Sequence, residues 1–152
     1  MSHFTLGNSP QGPIVNAFIS VSEARENALK EAELPVPDWV RIRGLIDTGA
    51  SITCIDPTVL INSLALSPRG NTSVFTPSTG AKSVSKDLYD IGLWIPPGKE
   101  GESEYWFIIR TMAVICTDLR EGLGCDALIG RDMLERRLFV YNGGTQQFSL
   151  AY

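Results

Sequence analysis

The sequence predicts an all-β domain with one short helix near its C-terminus. Short apolar runs recur along the chain and are separated by Gly, Pro and Asn residues, a pattern typical of a β-rich domain. The turn Asn142-Gly143-Gly144, between apolar runs at 138–141 and 147–150, is a strong β-hairpin signal. The chain has 152 residues, of which 43% are hydrophobic and 20% charged. These values favour one globular domain with its own core.

We expect a flexible N-terminal segment at residues 1–12, followed by a single domain at 13–152. Within the domain, residues 22–37 form an insertion that is rich in charged helix formers and ends at Pro35 and Pro37. The insertion is a short surface helix or an ordered loop in one interpretation. In the other it is a solvated, charged connection, which base rates for long loops favour.

Apolar runs and turn residues predict the remaining elements in order. Residues 73–75 and 84–88 are expected to form the arms of a hairpin whose tip is rich in turn residues. Residues 131–136 are expected to form the single well-formed helix, because Asp132 lies near its start and Arg136 at its end, as the helix dipole prefers. Outside these elements, we expect extended structure at 13–21, 39–46, 52–55, 89–95, 104–116, 127–130, 138–141 and 147–150, and a helical turn at 59–61.

Charge and hydropathy exclude two classes of partner. The net charge is −4 and no cluster of Lys and Arg stands out, which argues against a nucleic-acid surface. No apolar run approaches the length of a membrane span. The N-terminus lacks a basic region followed by an apolar core, so no signal peptide is visible and a cytoplasmic location is expected.

The cysteine and histidine content limits which disulfides, metal sites and catalytic mechanisms the chain can have. Cys54 is expected to be a small buried hydrophobe, whereas Cys116 and Cys125 flank a short loop and could pair in an oxidising compartment. The only histidine is His3, so we expect no metal site. The same scarcity argues against Ser-His or Cys-His catalysis, which needs a histidine base inside the fold.

The most informative segment is Asp47-Thr48-Gly49-Ala50-Ser51, which follows the apolar strand predicted at 39–46. A strand that turns sharply at an aspartate, with a glycine that lets the backbone approach closely, can hold the carboxylate rigidly in a cleft. Two such carboxylates about 3 Å apart cannot both ionise comfortably, so they share one proton and can act as general base and general acid. The chain contains the motif once, whereas this chemistry needs two.

Together with Leu128-Ile129-Gly130-Arg131 some eighty residues later, this segment resembles the retropepsin family of single-domain aspartic proteases from retroviruses and their bacterial relatives. The resemblance extends over about residues 13–150. It implies a closed β-barrel with one short C-terminal helix. It also implies an endopeptidase that hydrolyses peptides with a water nucleophile, without a covalent intermediate or a cofactor. Because the motif occurs once, it implies a homodimer that contributes one Asp47 per protomer.

The resemblance also assigns roles to residues of the first motif. Asp47 is the catalytic carboxylate, Thr48 joins the two loops of the dimer, and Gly49 supplies backbone donors near the carboxylate. Ala50 and Ser51 lie at the floor of the substrate cleft.

In the second motif, the resemblance places Leu128 and Ile129 beneath the catalytic loop, and Gly130 allows their close approach. Arg131 ties the following helix to the loop. Many viral members have an aspartate at the position of Ser51 that receives this arginine, so Arg131 needs another acceptor in this chain.

The hairpin tip supplies the remaining substrate-binding candidates, because a lid that excludes water strengthens the electrostatics of a cleft. These candidates are Pro77, Ser78, Thr79 and Gly80, and the alternative is a plain exposed hairpin. The C-terminal residues 148–152 are apolar and alternating, so we expect them to form an edge strand that needs a dimer partner.

A function of another class is also open. The chain would then be a non-catalytic β-domain that binds extended peptides or a protein partner and keeps the Asp47 loop only for its architecture. An altered Thr48 or Gly49 would favour it, and both are intact.

Overall fold

The computed structural model describes residues 2–76, 80–96 and 107–152. Ten strands form the framework of this part of the chain. They are His3–Gly7 (β1), Ile14–Val21 (β2), Val40–Ile46 (β3), Cys54–Ile55 (β4), Gly70–Val74 (β5), Val84–Ile95 (β6), Phe107–Cys116 (β7), Ala127–Ile129 (β8), Leu138–Asn142 (β9) and Gln147–Ala151 (β10).

Six of these strands close into a barrel. Their order is β2-β3-β8-β4-β7-β6, and the ring closes because β6 also pairs with β2. Most neighbours are antiparallel, but β8 runs parallel to β3 and β4 runs parallel to β7. The predicted all-β closed barrel is therefore confirmed.

Alternation of buried and exposed residues explains how the strands fill the barrel. In β2, Val15, Ala17 and Ile19 are at most 1% exposed, and the residues between them face away from this core. Since successive side chains of a strand point to opposite faces, a period of two places one apolar row inside. Strand β6 is longer than expected, because residues 84–88 and 89–95 form one continuous strand. Its first part pairs with β5, so the predicted hairpin is present.

A second, three-stranded sheet joins the chain ends in the order β1-β10-β9. His3 pairs with Ala151, and Phe4 is buried in the core at 1% exposure. The prediction of a flexible segment at residues 1–12 is therefore wrong for β1. The burial of Phe4 and the backbone pairing of β1 with β10 offset the entropy that is lost when the N-terminus becomes ordered.

The same sheet corrects the prediction for the C-terminal residues. Strand β10 lies between β1 and β9, so both of its edges are already paired within the chain. Phe148 and Leu150 are buried in the core. The outer edges of this sheet belong to β1 and β9.

The described residues contain four helical segments, whereas the sequence predicted one well-formed helix, at 131–136. The helices are Glu23–Glu31 (α1), a π-helix at Thr58–Ser63, Arg120–Leu123 (α2) and Arg131–Leu134 (α3). Helix α1 realises the first interpretation of the 22–37 insertion, since the Ser22 hydroxyl accepts the Arg25 N–H at 3.4 Å and caps its start. Helix α3 is two residues shorter than expected, and the π-helix lies where a helical turn was predicted.

Two further features are the hydropathy of the helices and the state of the cysteines. In the described parts, no helix is both long enough and apolar enough to cross a membrane. All three cysteines are free, so Cys116 and Cys125 are not paired.

Candidate active site

The candidate active site begins at Asp47, the residue that directly follows β3. The last residues of β3 pair with β8 in parallel register, so Ile46 lies beside Ile129. The Asp47 N–H continues this ladder by donating to the Ile129 carbonyl at 2.9 Å. The backbone of the aspartate is therefore fixed to the barrel wall, and the chain turns away only beyond it.

The carboxylate of Asp47 is half-buried and has few partners. The Gly49 N–H donates to Asp47 Oδ1 at 2.8 Å, and this is the one hydrogen bond that the described residues make with the carboxylate. A Cβ on Gly49 would lie 3.0 Å from Oδ1, so this close approach suits glycine. Thr48 and Gly49 are exposed on the surface of the single chain. The carboxylate is held in place while much of its hydrogen-bonding capacity stays free.

Gly130 lies directly against the backbone that follows Asp47. A Cβ there would lie 2.9 Å from the Ile52 carbonyl carbon, 3.0 Å from the Ala50 oxygen and 3.0 Å from the Thr53 nitrogen. Its φ of −86° is ordinary, so the requirement for glycine is one of space. Helix α3 therefore starts in contact with the loop.

Arg131 donates twice to the same loop. Its N–H donates to the Ala50 carbonyl at 2.9 Å, and its Nη1 donates to the Thr48 carbonyl at 3.1 Å. The Thr48 carbonyl is thus an acceptor for the Arg131 side chain, whose partner the sequence left open because position 51 is a serine. Ala50 is half-buried and Ser51 is exposed.

The residues before Gly130 lie beside and beneath the strand that leads to the loop. Ile129 is fully buried, and its Cδ1 occupies the space where a Cβ on Gly44 would lie, at 2.6 Å. Leu128 is half-buried and pairs with Leu45 on one side and Cys54 on the other. The two motifs of the sequence, eighty residues apart, therefore lie together in the fold.

A second attachment of the loop was missed by sequence reasoning. Asp132, interpreted as an acid at a helix start, accepts hydrogen bonds from Thr53 N at 2.8 Å and from Thr53 Oγ1 at 2.7 Å. The same carboxylate accepts the Met133 N–H, and Thr53 Oγ1 accepts the Gly130 N–H at 3.1 Å. Thr53 is fully buried. The contact joins positions 79 residues apart, and no short motif contains both.

Asp56 forms a third carboxylate site, which is structural. It is buried and accepts hydrogen bonds from the N–H groups of Thr58 at 2.9 Å, Leu119 at 3.0 Å and Arg120 at 3.1 Å, and from the Thr58 hydroxyl. Burial by itself raises the pKa of Asp56, but these hydrogen bonds outweigh it and lower the pKa to about 2. The ionised carboxylate thus joins the start of the π-helix to α2.

The predicted lid lies only in part within the described residues. Strands β5 and β6 form its arms, with Val74 paired to Val84. Gly80 is exposed and has a φ of +59°, a conformation that glycine adopts without strain. Phe75 is 69% exposed at the base of the tip. Pro77, Ser78 and Thr79 lie outside the described residues.

A nucleophilic thiol and a bound metal ion are the alternatives to carboxylate chemistry near the loop. Burial, together with the charges of Asp132 and Asp47, raises the pKa of the Cys54 thiol to about 11, so Cys54 is a protonated thiol at neutral pH. In the described ranges, no three His, Cys, Asp or Glu side chains are grouped so as to hold a metal ion.

Comparisons with known proteins support the fold. No protein-family model and no curated protein matches the chain. Among solved structures, the chain is similar to a retropepsin-like aspartic protease from Rickettsia conorii, with a TM-score of 0.54 and 16% sequence identity. The match covers 99% of this chain and 91% of the other. The chain therefore has a retropepsin-like fold. At this identity the likeness concerns the fold alone.

Proposed function

We propose that this chain is an aspartic endopeptidase that acts as a homodimer, with one Asp47 from each protomer. The observation that carries the proposal is the geometry of Asp47. The residue lies at the end of a barrel strand, its backbone is fixed by Ile129, and its carboxylate receives one hydrogen bond from Gly49. The retropepsin-like fold supports the same reaction class, because the similar Rickettsia structure is described as an aspartic protease.

The dimer is part of the proposal because the chain has one Asp-Thr-Gly motif. A two-fold axis beside the exposed Thr48 and Gly49 would bring two copies of Asp47 into one site. Strand β10 has no free edge, so the terminal sheet offers β1 and β9 to a partner. Leu138 and Val140 on β9 are 56% and 46% exposed, as expected for residues that a partner covers.

The proposed mechanism uses general acid–base catalysis. The two Asp47 carboxylates share one proton, since two charges at that distance repel strongly. The ionised carboxylate removes a proton from a water molecule, and the protonated one donates to the carbonyl oxygen of the scissile bond. Water is the nucleophile, so no covalent enzyme intermediate forms. When the tetrahedral intermediate collapses, the C–N bond breaks, and the carboxylate that took the proton from water passes it to the leaving amine nitrogen. The other carboxylate takes a proton back from a hydroxyl of the intermediate, which leaves one shared proton on the pair, and the proposed reaction uses no cofactor.

The proposed substrate is an extended peptide that lies between the Asp47 loop and the β5–β6 hairpin. A strand-like ligand can pair with backbone groups of both elements, while its side chains enter pockets on alternate sides. Ala50, Ser51 and Gly80 remain proposed substrate contacts, as do Pro77, Ser78 and Thr79 at the tip. A cytoplasmic location likewise stays a prediction from the sequence.

The test is cleavage of a mixed peptide library between acidic and neutral pH, repeated over a dilution series of the protein. We expect cleavage inside extended peptides, and a specific activity that falls as the protein is diluted below the dimer dissociation constant. A sedimentation experiment at the same concentrations supplies the fraction of dimer. Constant specific activity from a demonstrated monomer would contradict the shared site. An inert protein in which the library peptides bind uncleaved would favour the non-catalytic alternative.

A further inference from the structure

The strongest unassigned feature is the contact between Asp132 and Thr53 beneath the candidate catalytic loop. The loop from Asp47 to Thr53 is attached to the barrel at both ends. At its start, Asp47 N donates to Ile129 O, and at its end, Thr53 N and Oγ1 donate to the Asp132 carboxylate. Arg131 holds the middle through the Ala50 and Thr48 carbonyls.

The hydrogen positions in this contact follow from the chemistry of the groups. The backbone N–H of Gly130 can only donate, so Thr53 Oγ1 accepts it at 3.1 Å. The single hydroxyl proton of Thr53 is then directed to Asp132 Oδ1 at 2.7 Å. Asp132 Oδ1 also accepts the Met133 N–H, and Oδ2 accepts the Thr53 N–H, both at 2.8 Å. Thr53 and Met133 thus supply three donors to the Asp132 carboxylate, which serves only as an acceptor in this contact.

We propose that Asp132 is a positioning residue for Asp47 that acts through Thr53. The proposal rests on the proposed function, since positioning has a meaning only if Asp47 reacts. Two charge-assisted hydrogen bonds from one residue fix both the position and the rotation of the loop end. Because Gly130 lies in contact with Ile52 and Ala50, a shift of Thr53 is transmitted to the backbone beside Asp47 rather than absorbed by space.

The test substitutes Asp132→Asn, which keeps the size of the side chain. An asparagine presents an NH₂ group to a neighbouring N–H donor in either orientation, so at least one hydrogen bond is replaced by a donor–donor contact. We expect kcat to fall by about tenfold to a hundredfold with little change in KM, because displacement of a reacting group by a fraction of an ångström costs rate more than binding.

The matched control is Asp56→Asn. Asp56 also accepts several N–H donors, but its side chain joins the π-helix to α2, and the donors that the structure gives it are Thr58, Leu119 and Arg120 rather than residues of the loop. It should lower the melting temperature while kcat, measured below that temperature, stays near the wild-type value. A second pair separates the hydroxyl from the bulk of Thr53: Thr53→Val should lower kcat, and Thr53→Ser, which keeps the hydroxyl, should restore most of it.

Amide hydrogen exchange of Gly49 supplies a readout that does not need activity. Its N–H donates to Asp47 Oδ1, so its protection reports on the geometry of the catalytic turn. We expect exchange of this amide to be at least several-fold faster in Asp132→Asn and unchanged in Asp56→Asn. Equal protection in wild type and Asp132→Asn would overturn the positioning role, whether or not the protein is a protease. Loss of protection in a protein that cleaves no peptide would support the positioning of the loop and contradict only the proposed function.

Discussion

The ten-residue segment from Asp47 to Asp56 begins and ends with an aspartate. The two carboxylates differ in how deeply they are buried and in how many hydrogen bonds they accept. Asp47 is half-buried and receives one hydrogen bond from the described residues, whereas Asp56 is buried and receives four. The first keeps its capacity to bind water or a substrate. The second is fully used in holding the chain. The difference shows that two aspartates of one segment can be told apart by how many hydrogen bonds they accept: Asp56 has the pattern of a structural carboxylate, and Asp47 has the pattern expected of the proposed catalytic one.

The largest expected effect is on activity, from the substitution Asp47→Asn. The variant should lose hydrolysis by a factor of at least about 10² to 10⁴, because a general acid–base group contributes on that order. Its free energy of unfolding should change by less than about 0.5 kcal/mol, since the asparagine oxygen can still accept the Gly49 N–H. The measurements are peptide cleavage and thermal unfolding on the same preparation.

The proposed dimer adds a second readout for the same variant. Two facing carboxylates repel when both are ionised, and asparagine removes that repulsion at nearly constant size. The Asp47→Asn dimer should therefore be at least as stable as the wild-type dimer at neutral pH, as measured by sedimentation. A much weaker mutant dimer would mean that the two copies of Asp47 do not face each other.

The second-largest effect is expected on stability, from the substitution Gly130→Ala. Gly130 packs against the middle of the segment from Asp47 to Asp56. The added Cβ would lie within 3.0 Å of backbone atoms of Ile52, Ala50 and Thr53, which cannot move aside as a flexible side chain can. We expect a loss of about 2–3 kcal/mol in the free energy of unfolding, measured by urea denaturation. Gly122→Ala in α2 is the control, because a Cβ there meets nothing within 4 Å and alanine favours the helix. Equal stability of the two variants would show that α3 is not tightly packed on the loop.

These contacts also show what the sequence can predict. The Asp47 motif and Leu128-Ile129-Gly130 are local patterns, so their places in a strand-loop and in a buried strand could be read directly. The attachments through Asp132 and Asp56 join residues 79 and more than 60 positions apart, and nothing local indicates that pairing. The sequence did not predict that residues 3–7 form an ordered strand, for the same reason. Phe4 is buried only because β1 pairs with β10, at the other end of the chain. The composition of residues 22–37 left a helix and a solvated connection both open, and the structure shows a helix there that Ser22 caps.

The third effect is a loss of stability, expected from the substitution Asp56→Asn. The carboxylate pKa is about 2 in the folded protein and 3.8 in the unfolded reference. A lowered folded pKa means that the ionised group stabilises the fold fully above about pH 4, and that this contribution is lost as the pH falls through 4 toward 2. Removing the charge should cost on the order of 2 kcal/mol at pH 7.

The pH dependence distinguishes this site from the other carboxylates. Melting temperatures of wild type and Asp56→Asn should differ most at neutral pH and converge between pH 4 and pH 2. Since other acidic groups titrate in the same range in both proteins, the difference between the two curves isolates Asp56. A difference that stays constant down to pH 2 would mean that the charge of Asp56 is not what stabilises the contact.

The smallest effect is expected for Arg131→Met. Its Nη1 donates to the Thr48 carbonyl at 3.1 Å, but the side chain is exposed, and a solvent-exposed hydrogen bond contributes little. The backbone N–H of residue 131 keeps its bond to the Ala50 carbonyl in the variant. We therefore expect a loss of about 0.5–1 kcal/mol in stability, and a several-fold fall in kcat because one support of the Thr48 carbonyl is removed. Arg136→Met, at another exposed arginine, is the control and should change neither quantity. If Arg131→Met lowered kcat as strongly as Asp132→Asn, the arginine would be a principal support of the loop. The proposed catalytic aspartate would then depend on an exposed contact, unlike Asp56, whose contacts are buried.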